Sequence, residues 1–165
     1  TGSGAIALAL AGQFAALRPI TGLDISPDAL NYACRNAERL NLGSVEFLLS
    51  DLWSRLAPAE QFTLVTANPP YVAEREYPNL PIDVRNHEPA LALLAEGDGL
   101  GIIERIARES RPYMAPDAWL LCEIGSEQGN SARTIFVREG WQQVRVRQDY
   151  TQRDRVLEAR NPALD

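Results

Sequence analysis

The sequence predicts an α/β protein: a doubly wound, mostly parallel twisted sheet with helices on both faces and an antiparallel strand pair at its C-terminal end. Three observations predict it. Short apolar runs alternate with helical stretches, the pattern of repeated βα units. A glycine turn, Thr1-Gly2-Ser3-Gly4, leads directly into a helical stretch. Polar residues, Asp24, Asp51 and Asn68, follow three successive predicted strands. In an open α/β sheet the crevice outside the strands' carboxyl ends is where ligands dock.

In chain order, the Ala/Leu-rich stretch from Ala5 to Leu17 has strong helix propensity. A glycine turn of this kind normally follows a strand, and none precedes this one. The chain is therefore expected to be a fragment of a longer protein, lacking at least the first strand of its sheet. Pro19 to Asp24 reads as a short strand ending in an acid. Ser26-Pro27-Asp28 supplies an N-cap, a proline at the first helical position and an early acid, opening a helix to about Leu40. Gly43 punctuates, and Val45 to Ser50 reads as the next strand, closing on Asp51. Phe62 to Ala67 is an apolar run read as a buried strand. From Asn68 to about Ala95 the periodicity lapses, with prolines at 69, 70, 78, 81 and 89. A loop of that length inside a compact domain is usually functional or disordered. Helix returns over Gly99 to Tyr113, then a strand over Trp119 to Ile124 and a helix near Glu127 to Arg138. Gln142 to Asp149 and Arg155 to Ala159 predict the closing antiparallel pair.

Size and composition set the class. A chain of 165 residues fits one domain, and it is long enough to bury roughly 70% of the surface it exposes when unfolded. Apolar content of 45% and charged content of 23% are ordinary for a globular protein. No run of 18 apolar residues is uninterrupted, so no membrane span is expected. The first residues lack the basic segment of a signal peptide, and the chain is placed in the cytoplasm. Cys34 and Cys122 fit no metal-ligand spacing and are expected to be buried thiols in a reducing compartment. No metal site is expected. The net charge is −6, and residues 1–100 carry 12 acidic and 6 basic side chains against 10 of each in residues 101–165. Such a balance is poorly suited to neutralising phosphates, which counts against a nucleic-acid partner. All 16 basic residues are arginine; Arg105, Arg108 and Arg111, spaced by three, read as a solvated helix face.

Three features at predicted strand ends carry chemistry. Gly2-Ser3-Gly4 with Ala7 matches G-x-G-x-x-A at a turn into a helix, where backbone approaches a ligand closely and free N–H groups are presented. The same spacing serves nicotinamide, flavin and S-adenosylmethionine sites, or tight packing alone. Asp24 lies 20 residues past Gly4, where a carboxylate can accept both hydroxyls of a ribose, the alternative being an Asx turn or cap beside Ser26. Asp51 repeats the arrangement one strand on, with Leu52 or Trp53 available to an adenine ring face. The third feature is Asn68-Pro69-Pro70-Tyr71. Two prolines fix the loop, and an Asn side chain beside a proline carbonyl can accept both N–H groups of an amide-type substrate and aim its nitrogen at an electrophile. Asn-Pro is also a common turn opener, so a plain strand-end turn is the alternative.

Taken together these residues resemble a known family. Thr1-Gly-Ser-Gly-Ala-Ile-Ala-Leu-Ala-Leu10, Asp24-Ile-Ser-Pro-Asp-Ala-Leu30, Asn68-Pro-Pro-Tyr71 and Asp83-Val-Arg-Asn-His-Glu-Pro89 look like the glutamine-N5 methyltransferases that modify peptide chain release factors. The resemblance runs through nearly the whole chain, including Gly97-Asp-Gly-Leu100 and Asp154-Arg-Val-Leu157. It implies a Rossmann-like class I methyltransferase fold, S-adenosylmethionine as cofactor and S-adenosylhomocysteine as product. It further implies a release-factor protein substrate, a monomer, and neither nucleic acid nor membrane as partner. By position, Thr1, Gly2, Ser3 and Gly4 would wrap the methionine end, Asp24 would hold the ribose, and Asp51 with Leu52 would line the adenine. Asn68 and the Pro69 carbonyl would hold the substrate amide, with Pro70 and Tyr71 shaping the pocket and Asn68 also lining the cofactor side. Two departures stand out: the family's acidic first strand and small helical N-terminal domain are absent, and many members carry an aromatic residue where this chain has Leu52. The Asn-Pro-Pro-Tyr loop alone is shared with adenine-N6 nucleic-acid methyltransferases, and a ribosomal-protein glutamine is the nearest alternative substrate. His87, the one histidine, has no partner pattern and reads as a loop residue.

Overall fold

A computed structural model describes residues 1–14, 16, 19–57, 61–87, 89–95 and 98–162, with the side chains of Val84 and His87 left out. The predicted roles of Glu88 and Gly97 and the end of the first predicted helix lie outside the described residues. Two compact units divide the chain, residues 1–57 and residues 58–165.

The first unit runs α1 (Ala5–Gln13), β1 (Ile20–Asp24), α2 (Pro27–Arg39) and β2 (Val45–Leu49). β1 and β2 pair in parallel, from Ile20 opposite Val45 to Asp24 opposite Leu49. The start of α2 is as the sequence predicts: Ser26 Oγ accepts from the Ala29 N–H at 3.3 Å, with Pro27 and Asp28 in the first turn. Its core gathers Ala7, Leu8 and Ala11 of α1, Ala37 of α2 and Val45 of β2, with Ile20, Leu42 and Phe47 against them. Cys34 corrects an expectation. It is exposed, because the buried face of α2 consists of Ala33 and Ala37.

The second unit runs β3 (Phe62–Ala67), β4 (Val72–Ala73), α3 (Ile82–His87), α4 (Ala90–Leu93), β5 (Leu94–Ala95), α5 (Gly101–Glu109), β6 (Met114–Glu123), α6 (Gly129–Arg138), β7 (Gln142–Gln148) and β8 (Asp154–Arg160). Its main sheet has the order β3-β6-β8-β7, and β4 pairs with β5. β3 lies parallel to β6, while β8 is antiparallel to both β6 and β7, so the closing antiparallel pair is present as predicted. The hydrogen-bonded strand sets within the units are β1-β2, β3-β6-β8-β7 and β4-β5.

Two predicted elements differ for identifiable reasons. Within the second unit β3 ends the described strand order, and its Thr63 and Thr66 are exposed where a buried strand was expected. The helix predicted to reach Tyr113 stops at Glu109 and tightens into a 3₁₀ turn over Arg111–Tyr113, since Pro112 has no N–H for a continuing helix. Arg111 is consequently not part of a solvated face. Its Nη1 donates to the Glu139 carbonyl at 3.1 Å and its Nε to Asn161 Oδ1 at 3.3 Å. Arg105 and Arg108 do lie on the helix surface, paired with Glu109. Asn161 Nδ2 in turn donates to the carbonyls of Met114 and Ala115, each at 3.1 Å. That pairing satisfies the irregular start of β6, which begins five residues ahead of the predicted Trp119.

Fully buried Ile103 and Ile106 of α5, Phe136 of α6, Leu120 and Cys122 of β6 and Leu157 of β8 make the core of this unit. Each such large side chain contributes about 1.5–3 kcal/mol by leaving water. Trp141 joins them with its indole N–H donated to the Ala107 carbonyl at 2.8 Å. Among the described residues no helix is long and apolar enough to cross a membrane.

Candidate functional site

In the first unit the glycine turn closes by a bond from the Gly4 N–H to the Thr1 carbonyl at 3.0 Å. Gly2 and Gly4 both take left-handed conformations, with φ of 56° and 78°. Their surroundings differ. A Cβ on Gly4 would stand 3.1 Å from Ala33 Cβ and from Phe47 Cζ, whereas one on Gly2 would meet nothing within 4 Å. Gly4 therefore serves close packing, and Gly2 bends the chain beside open space. α1 begins at Gly4 with no side-chain cap, which leaves the positive end of its dipole uncovered by a capping group. Asn36 Nδ2 holds the Ser3 carbonyl at 3.0 Å.

Asp24 ties that turn to the end of β1. Its Oδ2 accepts from the Gly2 N–H at 2.8 Å and lies 2.9 Å from the Thr1 backbone nitrogen, and its Oδ1 accepts from the Ser26 N–H at 2.8 Å. Burial works to raise the carboxyl, but the donors around it, the Ser26 and Gly2 N–H groups first, outweigh it and hold the group below the usual carboxylate range. Three donors leave about one of the carboxylate's four acceptor positions for a ligand. The predicted Asx turn at Ser26 and the predicted ligand contact are thus compatible in one side chain.

The Ser50 N–H donates to the Asp24 carbonyl at 2.8 Å, extending the β1–β2 pairing to the residue before Asp51. Buried Ser50 also donates its hydroxyl to the Leu52 carbonyl at 2.7 Å and accepts from the Arg55 N–H at 3.2 Å. This turn leaves Asp51 exposed, Leu52 half-buried with φ of 47°, and Trp53 buried. Of the two candidates for an adenine ring, Leu52 is the more accessible. Thr1–Gly4, Asp24, Asp51 and Leu52 therefore gather at the carboxyl end of the β1–β2 pair.

In the second unit Asn68 to Tyr71 follow the carboxyl end of β3. Asn68 is exposed, Pro69 buried, and Pro70 and Tyr71 half-buried. Among the described residues nothing donates to Asn68 Oδ1 or to the Pro69 carbonyl. Tyr71, by contrast, is anchored: its hydroxyl donates to Glu123 Oε1 at 3.1 Å and accepts from Arg155 Nη1 at 3.4 Å. Burial first, and the Glu123 carboxylate second, push the Tyr71 phenol above its ordinary value. It stays a protonated donor and is not a base. Arg155 reaches on to the Ile124 carbonyl and Asp149, both at 3.4 Å.

The sequence singles out the turn, the two acids and the proline loop as candidates, and it does not single out Asn36, Ser50, Glu123 and Arg155, which hold them. The strand predicted over Trp119 to Ile124 closes on Ile124 and not on an acid, so the strand-end rule that singled out Asp24 passes over Glu123. Nothing local marks Asn36, Ser50 or Arg155 either. Arg85 donates to the Pro78 carbonyl at 3.3 Å, within the proline-rich stretch. Among the described residues no group of three or more His, Cys, Asp or Glu side chains is gathered as for a metal ion.

Residues 1–81 match a family model described as a methyltransferase domain. The chain is 39% identical over 156 residues to a release factor glutamine methyltransferase of Vibrio cholerae and 38% identical over 159 residues to one of Escherichia coli K12, each alignment covering 94% of this chain. The chain is thus similar in sequence to release factor glutamine methyltransferases over nearly all of its own length. It spans 54% and 55% of the length of those two relatives. A methyltransferase from Pyrococcus furiosus superposes with a TM-score of 0.69 at 15% identity, covering 98% of this chain and 72% of that one. An RNA methyltransferase from Salinibacter ruber, solved with S-adenosylhomocysteine, superposes with a TM-score of 0.59 at 17% identity, covering 99% of this chain and 78% of that one. The fold is that of a class I methyltransferase.

Proposed function

We propose that this chain is the catalytic part of an S-adenosylmethionine-dependent enzyme that methylates the side-chain nitrogen N5 of a glutamine in a peptide chain release factor in the cytoplasm. The observation that carries the reading is the loop after β3: an exposed Asn68 amide and a Pro69 carbonyl without partners among the described residues, on a backbone stiffened by two prolines and tied down at Tyr71. A primary amide offers two N–H donors, and this pair offers two acceptors.

The first unit fits the cofactor on its own observations. Open space at Gly2 admits a ligand against the backbone, Asp24 retains an acceptor position for a ribose hydroxyl, and exposed Asp51 with Leu52 suits an adenine edge and face. When bound, S-adenosylmethionine supplies an electrophilic methyl group on a sulfonium. The acceptor is the harder partner, because the lone pair of an amide nitrogen is delocalised into its carbonyl. Asn68 Oδ1 and the Pro69 carbonyl, by accepting both amide hydrogens, would orient that nitrogen and stabilise the positive charge it develops. The proton lost afterwards can pass to water, so no side chain is assigned as base.

The test uses the full-length protein with tritiated S-adenosylmethionine, offered a release factor, its Gln→Ala loop variant and an adenine-containing duplex. Label is expected on the wild-type factor alone. Label on the duplex would assign the loop to the adenine-N6 class, and label on neither would return Asn68 to Tyr71 to a structural turn.

A further inference from the structure

The phenol end of Tyr71 is held by Glu123 and Arg155; its backbone end is held by a residue to which neither the sequence nor the proposed reaction gives a role. Gln128 lies in the turn between β6 and α6 and caps the helix by position without bonding its N–H groups through its side chain. Its Oε1 accepts the Gly125 N–H at 2.9 Å. An oxygen must face that donor, which leaves the amino group facing two carbonyls. Nε2 donates to the Tyr71 carbonyl at 3.1 Å and reaches the Asp98 carbonyl at 3.5 Å. Glycines leave the room for it. At Gly99, where φ is 85°, a Cβ would strike the Tyr71 carbonyl oxygen and stand 2.7 Å from Gln128 Nε2. At Gly125 a Cβ would stand 3.0 Å from Gln128 Oε1. One amide thus joins three chain segments, at Tyr71, at Asp98–Gly99 and at Gly125.

We propose that Gln128 is a positioning residue for the Asn68–Tyr71 loop, fixing the Tyr71 carbonyl and thereby the spacing of the Asn68 side chain and the Pro69 carbonyl. The inference rests on the glutamine-methylation reading for its kinetic consequence, though not for its structural one. Prolines 69 and 70 have fixed φ, so a displacement at the Tyr71 backbone is passed towards Asn68 rather than absorbed between them. A misplacement of about 1 Å at a reacting group can cost on the order of a hundredfold in rate.

The test compares Gln128→Ala with Gln128→Glu in the full-length protein. Gln128→Glu keeps an acceptor for the Gly125 N–H but cannot donate to the Tyr71 carbonyl. Both variants should lower kcat for release-factor methylation about tenfold or more while the Kd for S-adenosylhomocysteine stays within about twofold of wild type. Wild-type kcat in Gln128→Glu would reduce the side chain to a brace for the turn at Gly125 and overturn the proposal. So would a parallel loss of cofactor affinity in both variants, the mark of general damage. Amide hydrogen exchange separates this result from the fate of the proposed reaction: in both variants exchange over residues 71–73 should rise about tenfold relative to residues 118–123. That arm decides the matter even if wild type methylates no release factor, and unchanged exchange over 71–73 would sink the proposal.

Discussion

Asp24 ends one parallel strand and Asn68 follows another, yet they stand in opposite states. Asp24 is already engaged by three donors, whereas Asn68 Oδ1 receives none from the described residues. A side chain that organises its own surroundings and one that waits for a ligand should fail differently when removed. Asn68→Ala is expected to leave S-adenosylhomocysteine affinity within a few-fold of wild type while abolishing methyl transfer. Asp24→Ala should weaken the cofactor first, since it also releases the glycine turn. Calorimetric titration beside a radiolabel assay separates them, and an equal loss of binding and transfer in Asn68→Ala would contradict the amide-clamp assignment. At this scale the site was legible wherever the signal was local: a turn type, a strand end, a pair of prolines. Glu123, Gln128 and Arg155 were not, because they meet Tyr71 across 52, 57 and 84 residues of chain, and a single sequence carries no register at that range.

Elements were predicted best where capping or proline chemistry fixed an end. The Ser26-Pro27-Asp28 start of α2 is where the sequence put it, while α5 ended early, at Glu109, because propensity said nothing of the 3₁₀ turn around Pro112. The pairing of strands was legible only at the closing β7–β8 hairpin, since alternation and apolar runs identify a strand but not its more distant neighbours. At the start of α1, Gly4→Ala should be costly twice over: about 1–2 kcal/mol for a left-handed backbone, and a Cβ at 3.1 Å from both Ala33 and Phe47. Gly2→Ala incurs the backbone cost alone, so urea melts should rank Gly4→Ala as the less stable of the two. The turn between β7 and β8 makes a prediction in pH. The Asp149 carboxyl lies at about 2 against an ordinary 3.8, chiefly because it accepts from the Thr151 hydroxyl at 2.6 Å, and further through the N–H groups of Arg153 and Thr151. A carboxyl that is more acidic folded than unfolded stabilises the turn above pH 3.8, and that contribution is lost as pH falls towards about 2. Protection of the Thr151 and Arg153 amides, taken relative to their intrinsic exchange at each pH, should fall through that window and stay unaffected by ionisation of this carboxyl between about pH 5 and 8.

At the scale of the molecule, the α/β class and the run of strand ends followed from the alternation of elements, but their division between two compact units did not. Each unit holds one of the chain's two cysteines, and both are free thiols. Cys34 lies exposed on α2 of the first unit, whereas burial in β6 pushes the Cys122 thiol of the second up to about 12. Thiolate is the reactive form, so the two sulfurs differ in both access and ionisation. A disulfide reagent should therefore consume one equivalent at once and the second only as β6 opens, and Cys34→Ser should abolish the fast phase alone. Two fast phases would place Cys122 within reach of solvent in the native state. With one thiol quenched, the slow phase times the opening of the strand that carries Glu123, using no reporter beyond an atom the sequence already supplies.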